Sequence, residues 1–180
     1  PRRKPPAPAK QAAAKAGRAA GARRGNLQPL ALATYSPQKC ATMSQTLSAL
    51  FLLGGSFPED QHIEDALRPR LAFPTLGFQD LLDRHDGGRY RKALKPRMAV
   101  LAAALQGRAP GSVLLIGRSS GAITATLTAS QGAPAICGVV ALGYPFRHPE
   151  RDEEPARTAH LAGLQVPLLI LQGARDAYGN

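Results

Sequence analysis

The sequence predicts an α/β protein with a mostly parallel β-sheet and helices on both faces. Short apolar segments alternate with helix-like segments through the second half of the chain, which is the pattern of strands linked by crossover helices. The predicted strands there are apolar throughout, as expected for strands that are buried on both faces. The apolar fraction of 44% and the charged fraction of 19% lie in the globular range, which excludes wholesale disorder.

Five short apolar segments bounded by turn-forming residues are predicted to be strands. They are residues 47–53, 71–73, 112–116, 136–142 and 166–172. Helices are predicted between them, at residues 62–67, 96–107, 120–131 and 156–164. The second of these helices begins at a proline, which suits a first helical turn, and ends at a glycine. Residues 79–95 are polar with two central glycines, so we predict a surface excursion there.

The net charge of +11 is concentrated at the start of the chain. Residues 1–42 carry nine Lys or Arg and no Asp or Glu, whereas residues 43–180 carry fourteen basic and twelve acidic residues. We therefore divide the chain into a basic tail rich in Ala, Pro, Lys and Arg, which we expect to be disordered, and a nearly neutral folded domain. The tail is interpreted as solvated, and weak nonspecific contact with nucleic acid or a targeting role are the alternatives.

Several classes of protein are disfavoured by other features. No apolar run approaches the roughly 20 residues of a membrane-spanning helix, so no membrane partner is expected. The two cysteines, Cys40 and Cys137, are too few for a disulfide framework and lack zinc-ligand spacing, which favours a reducing, cytoplasmic setting. Cys137 lies in an apolar run and is predicted to be a small buried residue. The first methionine is Met43, which indicates a fragment or a start assigned too far upstream.

One motif predicts catalytic chemistry. Residues 117–121 read GRSSG and fit G-x-S-x-G between a predicted strand and a predicted helix, which is the context of a nucleophile elbow. Such a turn presents Ser119 as a nucleophile above the sheet. The backbone amide of Ser120 would then be one donor of an oxyanion hole at the helix N-terminus. The alternative interpretation is a glycine-rich structural turn.

An acidic residue follows in the chain order that a catalytic triad of this fold requires. The strand at 166–172 leads into Gly-Ala-Arg-Asp, which places Asp176 at the carboxyl edge of a parallel sheet. Active sites of open parallel sheets lie at that edge. We predict that Asp176 is the triad acid, and an ordinary turn aspartate is the alternative.

These motifs are part of a wider resemblance. Four segments in this order, IGRSSGA (116–122), ALGYPFRHP (141–149), RTAHL (157–161) and LILQGARDAYG (169–179), resemble the α/β-hydrolase superfamily. The similarity is to the dienelactone-hydrolase-like group that includes the bacterial relatives of testis-expressed-thirty-type proteins. It implies an α/β-hydrolase fold and a serine-type hydrolase. The implied substrate is a small-molecule ester, lactone or thioester, with no cofactor and no metal.

The resemblance also implies further site residues. Gly54 and Gly55 would supply the second half of the oxyanion hole with their backbone amides, although this chain lacks the family's histidine there. Tyr144 and His148, in the loop after the fourth strand, would line the substrate pocket. In family members the catalytic histidine follows the acid by a strand and a loop, but the sequence stops at Asn180. We therefore expect a C-terminally truncated hydrolase domain whose histidine lies beyond that residue.

None of the four histidines occupies the position expected for the base. His62 and His85 precede the elbow, and His160 is interpreted as a surface or packing residue of a helix. The 180-residue chain is therefore predicted to be nearly inactive as an esterase. A non-catalytic hydrolase-like module, which binds nucleic acid or an acidic partner through its tail, stays open as an alternative. A dinucleotide-binding fold is disfavoured because GRSSGA lacks the G-x-G-x-x-G spacing.

Overall fold

The computed structural model describes residues 47–150 and 155–179, so the predicted basic tail lies outside the described residues. Within them, five strands and four α-helices follow one another. The strands are β1 (Ser48–Leu52), β2 (Thr75–Leu76), β3 (Val113–Arg118), β4 (Ile136–Leu142) and β5 (Leu168–Leu171). The α-helices are α1 (Gln61–Leu67), α2 (Phe78–Asp86), α3 (Leu94–Leu105) and α4 (Ser120–Ser130). Short 3₁₀ helices lie at Arg68–Arg70, Pro155–Arg157 and Ala159–Gly163.

The five strands form one sheet in the order β2-β1-β3-β4-β5. Every neighbouring pair runs parallel, with Leu50 of β1 opposite Leu115 of β3 and Val140 of β4 opposite Leu169 of β5. Parallel neighbours need a crossover segment between them, and the helices lie in those crossovers. The predicted α/β class with a parallel sheet is confirmed.

Apolar strands bury the centre of the sheet. The side chains of Leu50, Phe51, Leu115 and Val139 are at most 2% exposed. Removing an apolar side chain of this size from water contributes roughly 1.5–3 kcal/mol to stability. On one face α4 packs against β3 and β4, and α3 packs against α4. Ala122 of α4 belongs to a small buried cluster that joins this helix to β4, so the helix that follows the elbow is anchored along its first turn.

On the opposite face of the sheet, α1 lies near the edge that the carboxyl ends of the strands form. Because paired residues of parallel strands share a face, Arg118 and Leu142 lie on the same face as Leu171. Ile63 of α1 lines a cleft together with Arg118 and Leu142, so α1 lies over this face. Helices therefore flank both faces, as predicted. Toward the β5 edge of the described residues this face is open, since Leu169 is 53% and Leu171 54% exposed.

The second predicted strand is wrong. Residues 71–73 form no strand, and the segment that pairs with β1 is Thr75–Leu76. The carbonyl of Pro74 accepts a hydrogen bond from the amide of Ala49 at 2.9 Å, which fixes this pairing. The strand is set by its hydrogen bonds to β1 rather than by its own apolar content.

The predicted surface excursion over residues 79–95 is also wrong, because it contains most of α2 and the start of α3. In α2 the side chains of Phe78, Leu81 and Leu82 are buried, while the remaining residues are polar. Gly87 ends the helix with a φ of +57°, a left-handed conformation that glycine adopts at little cost. Three apolar residues at helical spacing are enough to pack this helix against the core.

Two further predictions need adjustment. Residues 156–164 form two short 3₁₀ helices instead of one helix, and they are separated at Thr158, whose φ of −124° is not helical. Cys137 is half-buried instead of buried, and it lies where β4 pairs irregularly with β3. Its thiol donates a hydrogen bond to the carbonyl of Val113 at 3.3 Å. Over residues 47–150 and 155–179, no helix has both the length and the apolar character needed to cross a membrane.

Candidate active site

Ser119 has the backbone conformation of a nucleophile elbow. Its φ is 53° and its ψ is −125°, and it is the one non-glycine residue of the described part with a positive φ. Such a conformation is strained for a residue with a side chain, and strain of this kind concentrates at functional positions. β3 ends at Arg118 and α4 begins at Ser120, so a single residue makes the turn. The amide of Ser119 is fixed by a 3.1 Å hydrogen bond to the carbonyl of Leu142.

Close backbone contacts require both glycines of the motif. A Cβ atom on Gly117 would lie 2.5 Å from the Cα atom of Ala122. A Cβ atom on Gly121 would lie 2.7 Å from the carbonyl carbon of Leu52 and would overlap the oxygen of that carbonyl. Glycine at these positions therefore lets α4 approach both β3 and β1, and this approach sets the position of Ser119.

Gly54 brings the loop after β1 against the elbow. It is buried, and a Cβ atom on it would lie 2.9 Å from the Cβ atom of Ser119 and 3.1 Å from the amide nitrogen of Ser120. The backbone at Gly54 and the amide of Ser120 therefore lie side by side at the N-terminus of α4, where an oxyanion hole needs its donors. Gly55 is exposed, and no atom lies within 4 Å of its Cβ position.

The carboxylate of Asp176 is held by a side chain that sequence reasoning missed. Its Oδ2 atom accepts a hydrogen bond from Nε2 of Gln172 at 2.6 Å, and its Oδ1 atom accepts one from the amide of Tyr178 at 3.0 Å. Oε1 of Gln172 accepts a hydrogen bond from the amide of Tyr144 at 2.8 Å. Gln172 therefore ties Asp176 to the loop after β4 and fixes the orientation of its carboxylate. A polar residue at the end of the apolar run 166–172 was the available signal.

An open cleft of about 580 Å³ lies beside the elbow and is lined by both Asp176 and Arg118. Gly143, with a φ of +58°, lies against both: its Cβ position is 3.0 Å from Nη1 of Arg118 and 3.4 Å from Oδ2 of Asp176. Nε of Arg118 is 3.9 Å from Oδ2 of the buried Asp60. His62 of α1 also lines the cleft, and the rest of its wall is apolar or glycine. The cleft thus contains a cation, a carboxylate and an imidazole. Of these, only Asp176 was predicted from the sequence to be a site residue, and Arg118 and His62 were not.

The described residues place no histidine at the elbow. None of the four histidines, all of which they include, forms a hydrogen bond with Ser119 or Asp176. Nδ1 of His62 contacts the carbonyl of Glu59 at 2.8 Å. Ser119 is not among the residues that line the cleft of Asp176. The described site therefore contains the serine turn, an oriented acid and the adjoining backbone of Gly54, without a base in contact with them.

Tyr144 and His148, the two residues predicted to line the substrate pocket, do not line the cleft of Asp176. Tyr144 is fully buried, and its hydroxyl donates a hydrogen bond to the carbonyl of Arg157. Its side chain belongs to the core rather than to a pocket wall, because it turns toward α4. His148 packs edge-on against the ring of Tyr178 with ring centroids 5.4 Å apart. Its Nδ1 atom accepts a hydrogen bond from the amide of Glu150 at 3.2 Å, and it does not line the cleft.

His160 belongs to a partly buried polar cluster against α4. Its Nε2 atom lies 2.8 Å from Oγ1 of Thr126 and 3.4 Å from the hydroxyl of Tyr144. Oγ1 of Thr126 also donates to the carbonyl of Ala122 at 2.9 Å, and the tautomer of the imidazole sets which atom donates in the contact with His160. Nδ1 of His160 is buried without a partner in the described part of the chain. Burial lowers the pKa of His160 below its ordinary value of 6.5, since protonation would leave a charge there unpaired.

Lowering the pH through 6.5 is therefore expected to reduce the free energy of unfolding through His160. The unfolded chain takes up this proton near pH 6.5, whereas the folded chain resists it until lower pH, so stability present above 6.5 is lost as the pH falls toward the folded-state pKa. Urea unfolding at several pH values measures the loss. The His160→Gln variant keeps a donor for Thr126 but cannot titrate, so its loss should be smaller than that of the wild type.

The matched control for this titration is His85→Gln, on the exposed side of α2. It should retain the pH dependence of the wild type. Burial raises the pKa of Glu64, which acts in the opposite direction as the pH falls, but this contribution is common to all three proteins and cancels in the comparison. Equal pH dependence of the wild type and His160→Gln would show that His160 is not held neutral by the fold.

A comparison with protein-family models assigns the chain to a family. The model described as an alpha/beta hydrolase domain matches residues 80–180, which are more than half of the chain. This protein belongs to the α/β-hydrolase family. The superfamily resemblance inferred from the elbow and from the segments around it is confirmed, and the class of protein that fold and family define is a hydrolase of the α/β type.

Solved structures of similar proteins carry related descriptions. A YdeN-like hydrolase from Pectobacterium atrosepticum is 20% identical with a TM-score of 0.44, and the match covers 74% of this chain and 71% of that one. A dienelactone hydrolase from Anabaena variabilis is 18% identical with a TM-score of 0.44, over 75% of this chain and 78% of that one. A hydrolase of the alpha/beta superfamily from Xanthomonas campestris is 17% identical with a TM-score of 0.40, over 70% and 86%. No curated protein sequence matches this chain.

Proposed function

We propose that this protein is a serine-type hydrolase that cleaves a small-molecule ester, lactone or thioester, with Ser119 as its nucleophile and Asp176 as its triad acid. The backbone of Ser119 carries the proposal. A serine with φ 53° and ψ −125° at the junction of β3 and α4 has no evident structural need for that strain, because glycine would adopt the same turn freely. A structural turn would be expected to use glycine here.

In the proposed reaction, Oγ of Ser119 attacks the acyl carbonyl carbon, and its proton passes to a histidine. The negative charge that develops on the carbonyl oxygen is stabilised by the amide of Ser120, with Gly54 and Gly55 as the proposed second donors. These groups stand at the N-terminus of α4, where the helix dipole favours negative charge. Asp176 orients that histidine and stabilises its charged form.

Gln172 has a positioning role in this proposal. It occupies Oδ2 of Asp176, and the backbone of Tyr178 occupies Oδ1, so the carboxylate is oriented before any imidazole arrives. A carboxylate has about four lone-pair positions, so both oxygens can still accept another hydrogen bond. An oriented acid fixes the tautomer of its histidine at little entropic cost.

The nucleophile is tested with a fluorophosphonate probe in the presence of free imidazole, which supplies a base because no described histidine contacts Ser119. The 180-residue chain should be labelled at Ser119, as located by mass spectrometry of its peptides. The Ser119→Ala variant should not be labelled. Ser130→Ala, at the other end of the same helix, is the matched control, because the hydroxyl of Ser130 only donates to the carbonyl of Leu127. Equal labelling of the wild type and Ser119→Ala would reject Ser119 as the nucleophile.

A second candidate function is a non-catalytic binding module with the hydrolase fold. The observation that favours it is the absence, in the described residues, of any histidine in contact with Ser119 or Asp176. The probe separates the two functions. Labelling of Ser119 supports the hydrolase, whereas no labelling at any imidazole concentration supports the module, provided that the chain is folded by circular dichroism.

Deleting residues 1–42 is expected to leave the fold and the probe reactivity of Ser119 unchanged and to remove any affinity for nucleic acid. Those residues hold nine basic and no acidic side chains, so their contact with phosphates is electrostatic and independent of sequence. Fluorescence anisotropy with a labelled duplex at about 50 mM and about 200 mM salt measures it, and the affinity of the intact chain should fall steeply between them. Salt-insensitive binding that survives the deletion would place a nucleic-acid site on the folded domain.

The proposal also includes a cytoplasmic setting and no metal or cofactor. The setting follows from the cysteine content, since two cysteines in 180 residues are typical of a protein that keeps its thiols reduced. The proposed partners are the acyl substrate and, only weakly and nonspecifically through the tail, nucleic acid, and the serine mechanism needs no further group. Fractionation of cells that produce the protein checks the location.

A further inference from the structure

Arg97 of α3 is a buried cation without a carboxylate partner. It is 9% exposed, and no acidic side chain of the described residues forms an ion pair with it. Its Nη1 atom donates a hydrogen bond to Oγ of Ser120 at 3.0 Å. Its Nε–H group is buried and has no acceptor in the described part. A buried charge with one neutral partner is costly, so a counter-charge would stabilise this position.

Tyr90 interacts electrostatically with Arg97, but its phenol is not a carboxylate counter-ion, and the N-terminus of α4 adds positive potential. Arg97 lines a small cavity between α2, α3 and α4, and Gly121 and Thr124 from the first turns of α4 line the same cavity. The N-terminus of an 11-residue helix such as α4 carries roughly half a positive charge. The other lining residues are all apolar: Leu52, Leu53, Phe78, Leu81, Leu82 and Val100. A guanidinium and a helix N-terminus therefore meet at a cavity whose described lining contains no acidic group.

We propose that this cavity binds a small monovalent anion, such as chloride, held by the guanidinium of Arg97 at the N-terminus of α4. The cavity has a free volume of about 10 Å³, so it can take only a small species. A water molecule would satisfy the Nε–H group but would leave the charge unbalanced. An anion accepts the same hydrogen bond and also neutralises the two positive groups.

The anion would support the elbow from inside the fold. Arg97 is bonded to Ser120, and the amide of Ser120 lies beside the nucleophile position, so fixing the guanidinium fixes the first residue of α4. This site does not rest on the proposed function of Ser119, because the buried charge of Arg97 is present whether or not the protein is catalytic. The measurements below accordingly contain no hydrolysis step, and they fail or succeed independently of that function.

The test compares thermal unfolding of the 180-residue chain in potassium chloride and in potassium gluconate at equal ionic strength. We expect Tm to be higher in chloride by roughly 3–8 °C and to saturate with concentration, because an anion that binds only the folded state stabilises it. The Arg97→Met variant should lose this increment. Arg108→Gln is the matched control, since Arg108 is half-buried but already donates to the carbonyl of Ala104 at 2.9 Å and to Oγ of Ser48 at 3.0 Å. Its chloride increment should persist.

Equal Tm values of the wild type in the two salts would overturn the proposal and leave the cavity to water. A Tm increment in acetate without one in chloride would also overturn it, since the site would then take a carboxylate ligand. If Arg97→Met fails to fold, crystals of the wild type grown in bromide test for the anion directly. An anomalous peak beside the guanidinium of Arg97 supports the site, and its absence at full bromide concentration rejects it.

Discussion

Replacing Gly121 with Ala is expected to destabilise the fold strongly. The added methyl group would overlap the carbonyl oxygen of Leu52 and lie 2.8 Å from that of Leu53. The added methyl group clashes with backbone atoms at the end of β1, so the clash cannot be relieved by moving a flexible side chain. Overpacking in a core costs about 1–3 kcal/mol, and a clash between two backbones exceeds that range. We expect a loss of about 3–5 kcal/mol, against a total stability of about 5–15 kcal/mol for a domain.

Urea unfolding followed by circular dichroism measures this loss. Gly163→Ala is the matched control, because Gly163 is exposed and no atom lies within 4 Å of its Cβ position. The control should stay within about 1 kcal/mol of the wild type. If Gly121→Ala unfolded at the same urea concentration as the wild type, α4 and β1 would not be packed as closely as described.

The buried strands could be predicted from the sequence because burial on both faces leaves a continuous apolar run. The prediction for residues 136–142 agrees with β4 at both ends. β2 could not be predicted, since Thr75–Leu76 has only two residues and is defined by hydrogen bonds to a strand 26 residues earlier, as in the pairing of Leu76 with Leu50. Residues 71–73 are more apolar and drew the prediction away from it. α2 was hidden because its buried residues are few among polar ones.

The same distinction separates the site residues that could be predicted from those that could not. The elbow at Ser119 is local, so five consecutive residues carry its signal. The contact of Gln172 with the amide of Tyr144 joins positions 28 residues apart, and the contact of Arg97 with Ser120 joins positions 23 residues apart. Neither contact produces a recognisable pattern in the sequence around residues 117–121. Contacts between crossover segments form only when the sheet is assembled, so the turn at Ser119 could be predicted and the residues that support it could not.

The 180-residue chain is expected to hydrolyse a p-nitrophenyl ester hardly faster than its Ser119→Ala variant when no imidazole is added. A serine hydroxyl is a weak nucleophile until an adjacent base removes its proton, and no described histidine contacts Ser119. Loss of one triad member lowers kcat by factors on the order of 10⁴–10⁶, and the remaining acceleration comes from the oxyanion hole and from binding. Initial rates at saturating ester, corrected for the spontaneous reaction, measure the difference between the two chains.

A fast rate that disappears in Ser119→Ala would contradict this expectation and would require a base within the chain. His62 is then the first residue to replace, because it lines the cleft that also contains Asp176, and its Nδ1 atom is already engaged by the carbonyl of Glu59. That contact leaves Nε2 as the nitrogen that could accept a proton. His85→Ala is the matched control, since His85 is exposed on α2 and does not line the cleft. A rate lost in His62→Ala and kept in His85→Ala would place the base on α1, before the nucleophile in chain order.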